Sequence, residues 1–175
     1  MPSDDIFLAI ESKTGMLVGE ANDAYYKEHL QVASFKGSLT GPDLDADKGE
    51  EAGQCKLNDG EVTVLTSVVT PTLYQACASG ELFKAFIISV RKAGSGQQTY
   101  RQFKYHQVQI ANISTSHGGG SEAHDTMSIK YCKFEMIHYK QNQDGSLDST
   151  GRTAGWDADQ NKAMAPTLPY KPGKK

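Results

Sequence analysis

The sequence predicts a mainly β protein, an antiparallel β-barrel of two packed sheets with one short α-helix. Runs rich in β-branched and aromatic residues recur along the chain and are separated by loops, which is typical of strands. Strands and helices do not alternate, and this argues against a doubly wound α/β fold. A single segment carries both helix start and helix stop signals, and it is predicted to begin at about Pro71 and to end at about Ser79.

Three strands and a long loop are predicted before the helix. Residues 5–11 form the first strand, which is apolar on both faces near its middle. Residues 29–39 alternate between apolar and polar positions, as a half-buried strand does. The extended loop, residues 39–60, has no periodic pattern and exceeds ordinary connections in length, which predicts a functional extension or disorder. Residues 61–69 are the clearest strand, and three valines are predicted to share one of its faces: Val62, Val64 and Val68.

The predicted helix is marked at both ends. Thr70 is expected to cap the first free backbone N–H groups, and Pro71 suits the first helical position. Gly80 can adopt the left-handed conformation that ends a helix. Apolar residues three and four positions apart give the helix one narrow apolar face: Leu73, Ala76 and Cys77. Cys77 is therefore expected to be a packed, inert thiol.

Three strands are predicted after the helix. Residues 82–92 form a strongly apolar strand. In the next strand, residues 99–115, the alternation of apolar and polar positions shifts by one residue between Tyr105 and Val108. This predicts a bulge or bend that keeps apolar residues inside. Residues 126–140 alternate well and form the last predicted strand.

The remainder of the chain is predicted as loop. From residue 141 onward small and polar residues dominate, and the single tryptophan of the chain, Trp156, lies among them. A length of 175 residues suits one domain. We predict one β-barrel domain over residues 1–163, including the extended loop, and a flexible tail over residues 164–175.

Composition argues against several classes of partner. The formal net charge of −3 provides no strongly basic face, so nucleic acid is not an expected partner. No apolar run approaches the ~18 residues of a membrane span, and membrane insertion is not expected. The N-terminus lacks the basic and apolar regions of a cleaved signal peptide, so export by the general secretory route is not expected either. The three cysteines are widely spaced, and reduced thiols are the default expectation.

Histidines near one glycine-rich loop are the first candidates for a metal site. His117 and His124 lie close in sequence to Glu122 and Asp125, so a zinc or nickel site is conceivable. The spacing matches no closed-site pattern, and exposed loop histidines are the better interpretation.

No other motif indicates a metal, a cofactor or an active site. The run from Asp43 to Asp47 starts like a calcium loop, but Lys48 replaces the turn glycine and Gln54 replaces the bidentate glutamate. A hydrolase that uses Cys77 and a distant histidine is an alternative function, but no second observation in the sequence supports it. We therefore predict that the protein is not an enzyme and binds no cofactor or metal.

The order of the residues resembles a known family. The strands read DIFLAIE, HLQVASFKGSL, VTVLTSVV and FIISVRKAG, and the helix region reads TPTLYQACASGELF. Two later segments read QVQIANIS and AGWDADQNKA. Over about residues 5–163 this order resembles the haemolysin-coregulated protein (Hcp) family, the tube subunit of bacterial type VI secretion systems.

The resemblance implies a structural role. Family members form a β-barrel with one helix on its side, assemble as six-membered rings and stack head to tail into a hollow tube. The tube lies inside a contractile sheath, is expelled with a spike protein at its tip and carries small effector proteins in its lumen. The resemblance thus implies a protein made in the bacterial cytoplasm without a signal peptide and secreted to the medium or a target cell. It also implies that the loop of residues 39–54 reaches neighbouring subunits or the adjacent ring.

Charge placement suggests where rings meet. Five acids cluster in the extended loop and are the candidate subunit or ring-stacking contacts, by pairing with basic surface on the next ring: Asp43, Asp45, Asp47, Glu50 and Glu51. The alternative function is a monomeric β-barrel that binds a small molecule in its interior. Large side chains filling the barrel would favour the tube subunit, because a filled small barrel leaves no ligand pocket.

Overall fold

The computed structural model describes residues 4–42, 53–93 and 96–173. Within these ranges the chain forms one helix, α1 (Thr70–Ser79), and twelve strands. The strands are β1 (Asp5–Ser12), β2 (Gly15–Met16), β3 (Leu30–Lys36), β4 (Leu39–Thr40), β5 (Lys56–Leu57), β6 (Gly60–Leu65), β7 (Leu82–Arg91), β8 (Thr99–Ser116), β9 (His124–Lys130), β10 (Lys133–His138), β11 (Arg152–Asp157) and β12 (Lys162–Ala163).

Antiparallel pairing closes part of the sheet into a barrel. The strands follow the order β8, β7, β1, β3, β6 and β9, and β9 pairs back to β8. Strands β10, β11 and β12 continue outward from the first half of β8, and β2 forms a hairpin with β1. Strands β4 and β5 make a separate two-stranded sheet at the base of the extended loop. The prediction of a mainly β fold, an antiparallel barrel with one short helix, is confirmed, and the described residues add a small separate sheet to it.

Side chains fill the barrel interior. Alternate positions of the closing strands point inward and are at most 6% exposed. The largest fully buried apolar members of this core are Leu8, Ile10, Leu30, Leu73, Phe83, Phe86, Ile88, Ile110, Met127 and Ile129.

The outer face of β1 and β7 is also covered, which explains why β1 is apolar on both faces. Phe7 stacks on Tyr26 with ring centroids 4.7 Å apart. Tyr170, near the end of the chain, packs on an outer apolar strip made of Ala9, Ala85 and Ile87. Both faces of the middle of β1 and of the second half of β7 are therefore largely removed from water.

The helix ends where predicted but begins one residue earlier, at Thr70. Gly80 ends it with φ 69°, and Leu73 and Ala76 are buried, as predicted. Val69, however, is the N-cap residue, and no side chain caps the helix. The prediction that Thr70 is the cap is wrong, because its hydroxyl is engaged elsewhere: it donates to Asp125 Oδ2 at 2.5 Å.

The predicted irregularity in residues 99–115 is confirmed as a change of partner within β8. Gln107 has φ 53°, and Tyr105 and Val108 on either side of it both face the core. Strand β8 pairs with β10 up to His106 and with β9 from Gln109 onward. One residue in the left-handed region thus turns the strand from the outer extension into the barrel wall.

Three strand predictions need correction. Residues 126–140 form two strands, β9 and β10, because each pairs with a different half of β8. Strand β6 ends at Leu65, so Val68 lies in the following turn and is 65% exposed. The sequence predicts residues 152–157 as loop, whereas in the structure they form strand β11. Pairing with β10 stabilises this segment, whose intrinsic strand preference is weak.

The sequence predicts a flexible tail from residue 164, whereas the structure holds residues 167–170 against the sheet. Leu168 is buried, and Tyr170 lies on the outer apolar strip. Because these residues form no strand, their side chains do not alternate between apolar and polar, and the sequence pattern does not predict that they pack on the sheet.

Candidate functional site

The barrel interior offers no room for a ligand among the described residues. The inward side chains include phenylalanine and methionine residues that are wholly buried, such as Phe86 and Met127. A barrel of six strands filled in this way is a packed core. The observation favours the structural interpretation over a ligand-binding barrel.

The candidate metal and nucleophile residues lie in structural or exposed positions. The described ranges contain no group of three or more His, Cys, Asp or Glu that could hold a metal ion. His117 is exposed in the loop after β8. Cys77 is half-buried against the barrel core. Neither arrangement supplies an activated nucleophile or a ligand set.

Asp125, which the sequence analysis noted beside the loop histidines, is a buried polar residue of β9. Its carboxylate is fully buried and accepts hydrogen bonds from the hydroxyls of Thr66 at 3.0 Å, Thr70 at 2.5 Å and Thr115 at 2.7 Å. These bonds tie the turn before α1 to β8 and β9. Asp125 therefore positions the helix on the barrel.

An aromatic recess of about 480 Å³ lies at the barrel end where β3 finishes. Lys36 and Arg101 lie at its rim. The Arg101 guanidinium lies 5.7 Å from the centre of the Phe103 ring. The apolar lining residues are Phe35, Leu39, Phe103, Tyr105, Tyr131, Phe134 and Met136.

A second recess of about 420 Å³ adjoins the first and shares Leu39 and Phe134 with it. It is mostly apolar, and Cys55 and Trp156 form part of its lining. The indole Nε1 of Trp156 is buried without a hydrogen-bond partner among the described residues. The two recesses give this end of the barrel a concave apolar surface.

The five predicted contact acids lie outside the described residues: Asp43, Asp45, Asp47, Glu50 and Glu51. The described residues on either side of them, Pro42 and Gly53, both line the second recess. The extended loop therefore leaves from and returns to the concave apolar surface.

The opposite end of the barrel exposes large apolar side chains. Strand register places this end beyond the last residues of β1 and β6 and before the first residue of β7. Its exposed apolar residues are 40–65% accessible: Met16, Val18, Val68, Tyr74 and Leu82. The chain thus carries a different apolar surface at each end: the concave apolar surface, and the exposed apolar surface formed by these five residues.

Two buried polar residues on the outer sheet face were not singled out by the sequence. Gln102 is 2% exposed and Glu135 is fully buried, both beneath residues 167–170. A single glutamate within the apolar run Phe134 to Ile137 is the signal that could have found one of them, because buried charge requires specific partners.

Sequence comparison matches this chain to characterised proteins. Residues 7–138 match the family described as "Type VI secretion system effector, Hcp". The curated "Protein hcp1" of Pseudomonas aeruginosa is 26% identical over 152 residues, which cover 85% of this chain and 94% of that protein.

Solved structures share the fold. The structure described as "Structure of a type six secretion system protein" superposes with a TM-score of 0.82 at 17% identity, covering 93% of this chain and all of the other. Hcp1 from Salmonella typhimurium gives a TM-score of 0.70 at 21% identity, with 93% and 99% of the two chains covered. The barrel and its outward extension are therefore an established architecture.

Proposed function

We propose, because this chain belongs to the Hcp family of type VI secretion proteins, that it is the structural tube subunit of such a system. Six copies form a ring, and the rings stack head to tail into a hollow tube. The family match over three quarters of the chain is the observation that carries this proposal. The family consists of structural secreted proteins, and we propose that this chain likewise has no catalytic activity.

The two ends of the barrel support head-to-tail assembly. A heterologous contact needs two different patches on each subunit, and repetition of that contact generates a ring or a filament. The concave apolar surface around Phe134 and Trp156 and the exposed apolar surface around Val18 and Val68 are such a pair of patches. The filled barrel leaves these outer surfaces as the places where binding occurs.

The remaining partners follow from the same proposal. The tube would lie inside a contractile sheath, meet a spike protein at its tip and carry small effector proteins in its lumen. Membership of the family implies secretion through the type VI system. We propose that the chain is made in the bacterial cytoplasm and leaves it by this route.

Size-exclusion chromatography with light scattering, followed by negative-stain imaging, tests the proposal. We expect a species of six times the 19.0 kDa chain mass and rings or tubes in the images. Val68→Glu should shorten or abolish tubes, because it places a charge in the exposed apolar surface. Lys140→Glu, at an exposed position outside that surface, is the matched control. A chain that stays monomeric at every concentration contradicts the proposal.

One observation favours the alternative of a monomeric small-molecule-binding protein. The aromatic recess of about 480 Å³ is large enough for a small apolar ligand, although it lies at the end of the barrel and not inside it. If this alternative holds, the chain elutes at 19.0 kDa and Phe103→Ser abolishes binding of an apolar fluorescent dye. Ring formation that is insensitive to saturating dye disfavours it.

A further inference from the structure

Residues 167–170 lie across the outer face of the sheet and are held by side chains, without joining a strand. The Tyr170 N–H donates to Gln102 Oε1 at 2.9 Å, and Gln102 Nε2 donates to the Tyr170 carbonyl at 2.9 Å. Gln102 Nε2 also donates to Ser89 Oγ at 3.0 Å. One buried amide thus pairs with both backbone groups of a single residue, as a neighbouring strand would.

Glu135 holds the other half of the segment. Its buried carboxylate accepts the backbone N–H groups of Thr167 and of Leu168, the latter at 3.2 Å. The His106 imidazole lies on the same carboxylate, with Nε2 2.5 Å from Glu135 Oε2. Lys104 Nζ donates to the Thr167 hydroxyl at 3.0 Å, and that hydroxyl donates to Glu135. The carboxylate therefore recognises backbone as well as side chain.

Side-chain contacts determine which residues can lie on this part of the sheet. The Tyr170 ring packs on the outer apolar strip of Ala9, Ala85 and Ile87. Its hydroxyl lies 3.1 Å from His29 Nε2. Leu168 is 8% exposed. An occupant thus needs an apolar residue and, two positions later, an aromatic residue with a polar tip.

The polar groups of the groove are arranged for a peptide. Residues 167–170 supply Gln102 with its two backbone partners and Glu135 with two N–H donors. Gln102 and Glu135 thus bond backbone N–H and C=O groups, which distinguishes the groove from a purely apolar patch.

We propose that Gln102, Glu135 and the outer apolar strip form a peptide-binding groove, occupied here by the chain's own residues 167–170 and able to accept the same residues of a second copy. The contacts that hold residues 167–170 are all made to the backbone or side chains of that short segment, so the same residues of a second copy can reproduce them. Ala165 and Pro166 alone connect the segment to Met164, whose N–H bonds to the Gly155 carbonyl at 3.2 Å. The proposal does not depend on the tube function.

A labelled peptide added to the full chain tests the groove. The open-groove variant carries Thr167→Gly, Leu168→Ser and Tyr170→Ser, so its own segment no longer competes. The probe is a fluorescein-labelled peptide of residues 164–173, MAPTLPYKPG. We expect a saturable rise in anisotropy with the open-groove variant and at least about tenfold weaker binding to the wild-type chain, because a tethered segment has a high effective concentration.

Two matched controls separate the groove from nonspecific adhesion. Adding Gln102→Ala to the open-groove variant should remove the binding, and so should a peptide with serine at positions 168 and 170. An open-groove variant that keeps the wild-type circular dichroism but does not bind the peptide overturns the proposal. Equal binding of the serine peptide overturns it as well.

A milder variant covers the case in which the triple substitution unfolds the chain. Tyr170→Ser alone keeps the backbone contacts and removes only the ring. It should bind the peptide more tightly than the wild-type chain and should show faster amide exchange at Thr167 and Leu168. Unchanged exchange together with unchanged peptide binding overturns the proposal.

Discussion

Arg91 is a buried cation whose partners span distant parts of the sequence. Its side chain is 3% exposed and contacts Asp23 at 2.7 and 3.0 Å and Asp5 at 2.9 Å. The guanidinium also lies 5.1 Å from the centre of the Phe7 ring. A buried charge is tolerated when it is paired bidentately, as the two terminal nitrogens of Arg91 are, although its buried Nε has no hydrogen-bond partner among the described residues. The cluster therefore joins the end of β7 to β1 and to the loop that carries Tyr26.

Acid sensitivity should follow from Asp23. Burial raises the pKa of this carboxyl, but hydrogen bonds from Arg91 and from the N–H groups of Tyr26 and Tyr25, together with the Arg91 charge, lower it from 3.8 to about 2. Because the folded-state pKa is below the unfolded value, ionised Asp23 stabilises the fold above about pH 4, and this stabilisation of about 2 kcal/mol is lost as the pH falls to about 2.

Asp23→Asn tests this expectation by urea unfolding. At pH 7 the variant should lose about 2–4 kcal/mol of unfolding free energy, because Arg91 remains buried with one partner fewer. The difference from wild type should shrink between pH 4 and pH 2. Asp148→Asn, at an exposed position, is the control and should change little at any pH. A difference that stays constant from pH 7 to pH 2 contradicts the expectation.

Strand β8 is the element that organises the fold, since it belongs both to the barrel and to the outward extension. Its two halves pair with different strands on one edge, and β7 pairs along most of the other edge. The change occurs at Gln107, a residue whose side chain is exposed and whose φ is 53°. L-residues other than Asn, Asp and Gly adopt this conformation at a cost of about 1 kcal/mol.

The stability of variants at Gln107 should therefore follow how readily the new residue adopts the left-handed conformation. Gln107→Val should destabilise the fold by about 1–2 kcal/mol, because β-branched side chains are disfavoured there. Gln107→Gly and Gln107→Asn should be neutral or slightly stabilising. Thermal unfolding of the three variants measures the order. Equal melting temperatures for the valine and glycine variants would mean that the strand does not turn at this residue.

The start of α1 depends on Asp125 rather than on a cap. Thr70→Val removes a hydroxyl that donates to a buried carboxylate and should cost about 1–2 kcal/mol. Thr70→Ser keeps the donor and should cost much less. Urea unfolding at pH 7 measures both variants, and a valine variant as stable as the serine variant would show that the bond contributes nothing.

The whole molecule is a filled barrel with a different apolar surface at each end. One end is concave and apolar around the base of the extended loop, and the opposite end exposes Val18 and Val68. The outer face between them is covered by the chain's own Tyr26 and Tyr170. These two apolar ends are the surfaces on which the proposed head-to-tail assembly rests.

Assembly should depend on salt if the acidic loop contacts basic surface on the next ring. Exposed charge pairs are screened over about 8 Å at physiological ionic strength, so tube formation should weaken from low to high salt. Serine at Asp43, Asp45, Asp47, Glu50 and Glu51 should reduce assembly and remove its salt dependence. Light scattering follows both effects.

A control variant distinguishes loop contacts from total charge. Serine at Asp144 and Asp148, which are exposed in the loop before β11, should leave the salt dependence unchanged. Wild-type assembly that is the same at low and high salt, and the same after the five loop substitutions, contradicts a role for these acids in stacking.

Residue patterns along the chain determined the fold class, the helix and most barrel strands. Alternation, turn residues and the Gly80 stop signal are local properties, and local energetics decide them. The order of the residues was also enough to identify the Hcp family, and the comparisons confirm that membership. The five contact acids stay a prediction, since they lie outside the described residues.

Tertiary structure alone decided the pairing of distant segments. Strand β11 exists because β10 pairs with it, and Thr70 serves Asp125, 55 positions away along the chain, instead of capping its own helix. Residues 167–170 are held in place by Gln102 and Glu135, side chains that the sequence gives no reason to link to them. The energy of such contacts depends on which groups meet in space, and a one-dimensional pattern does not contain that information.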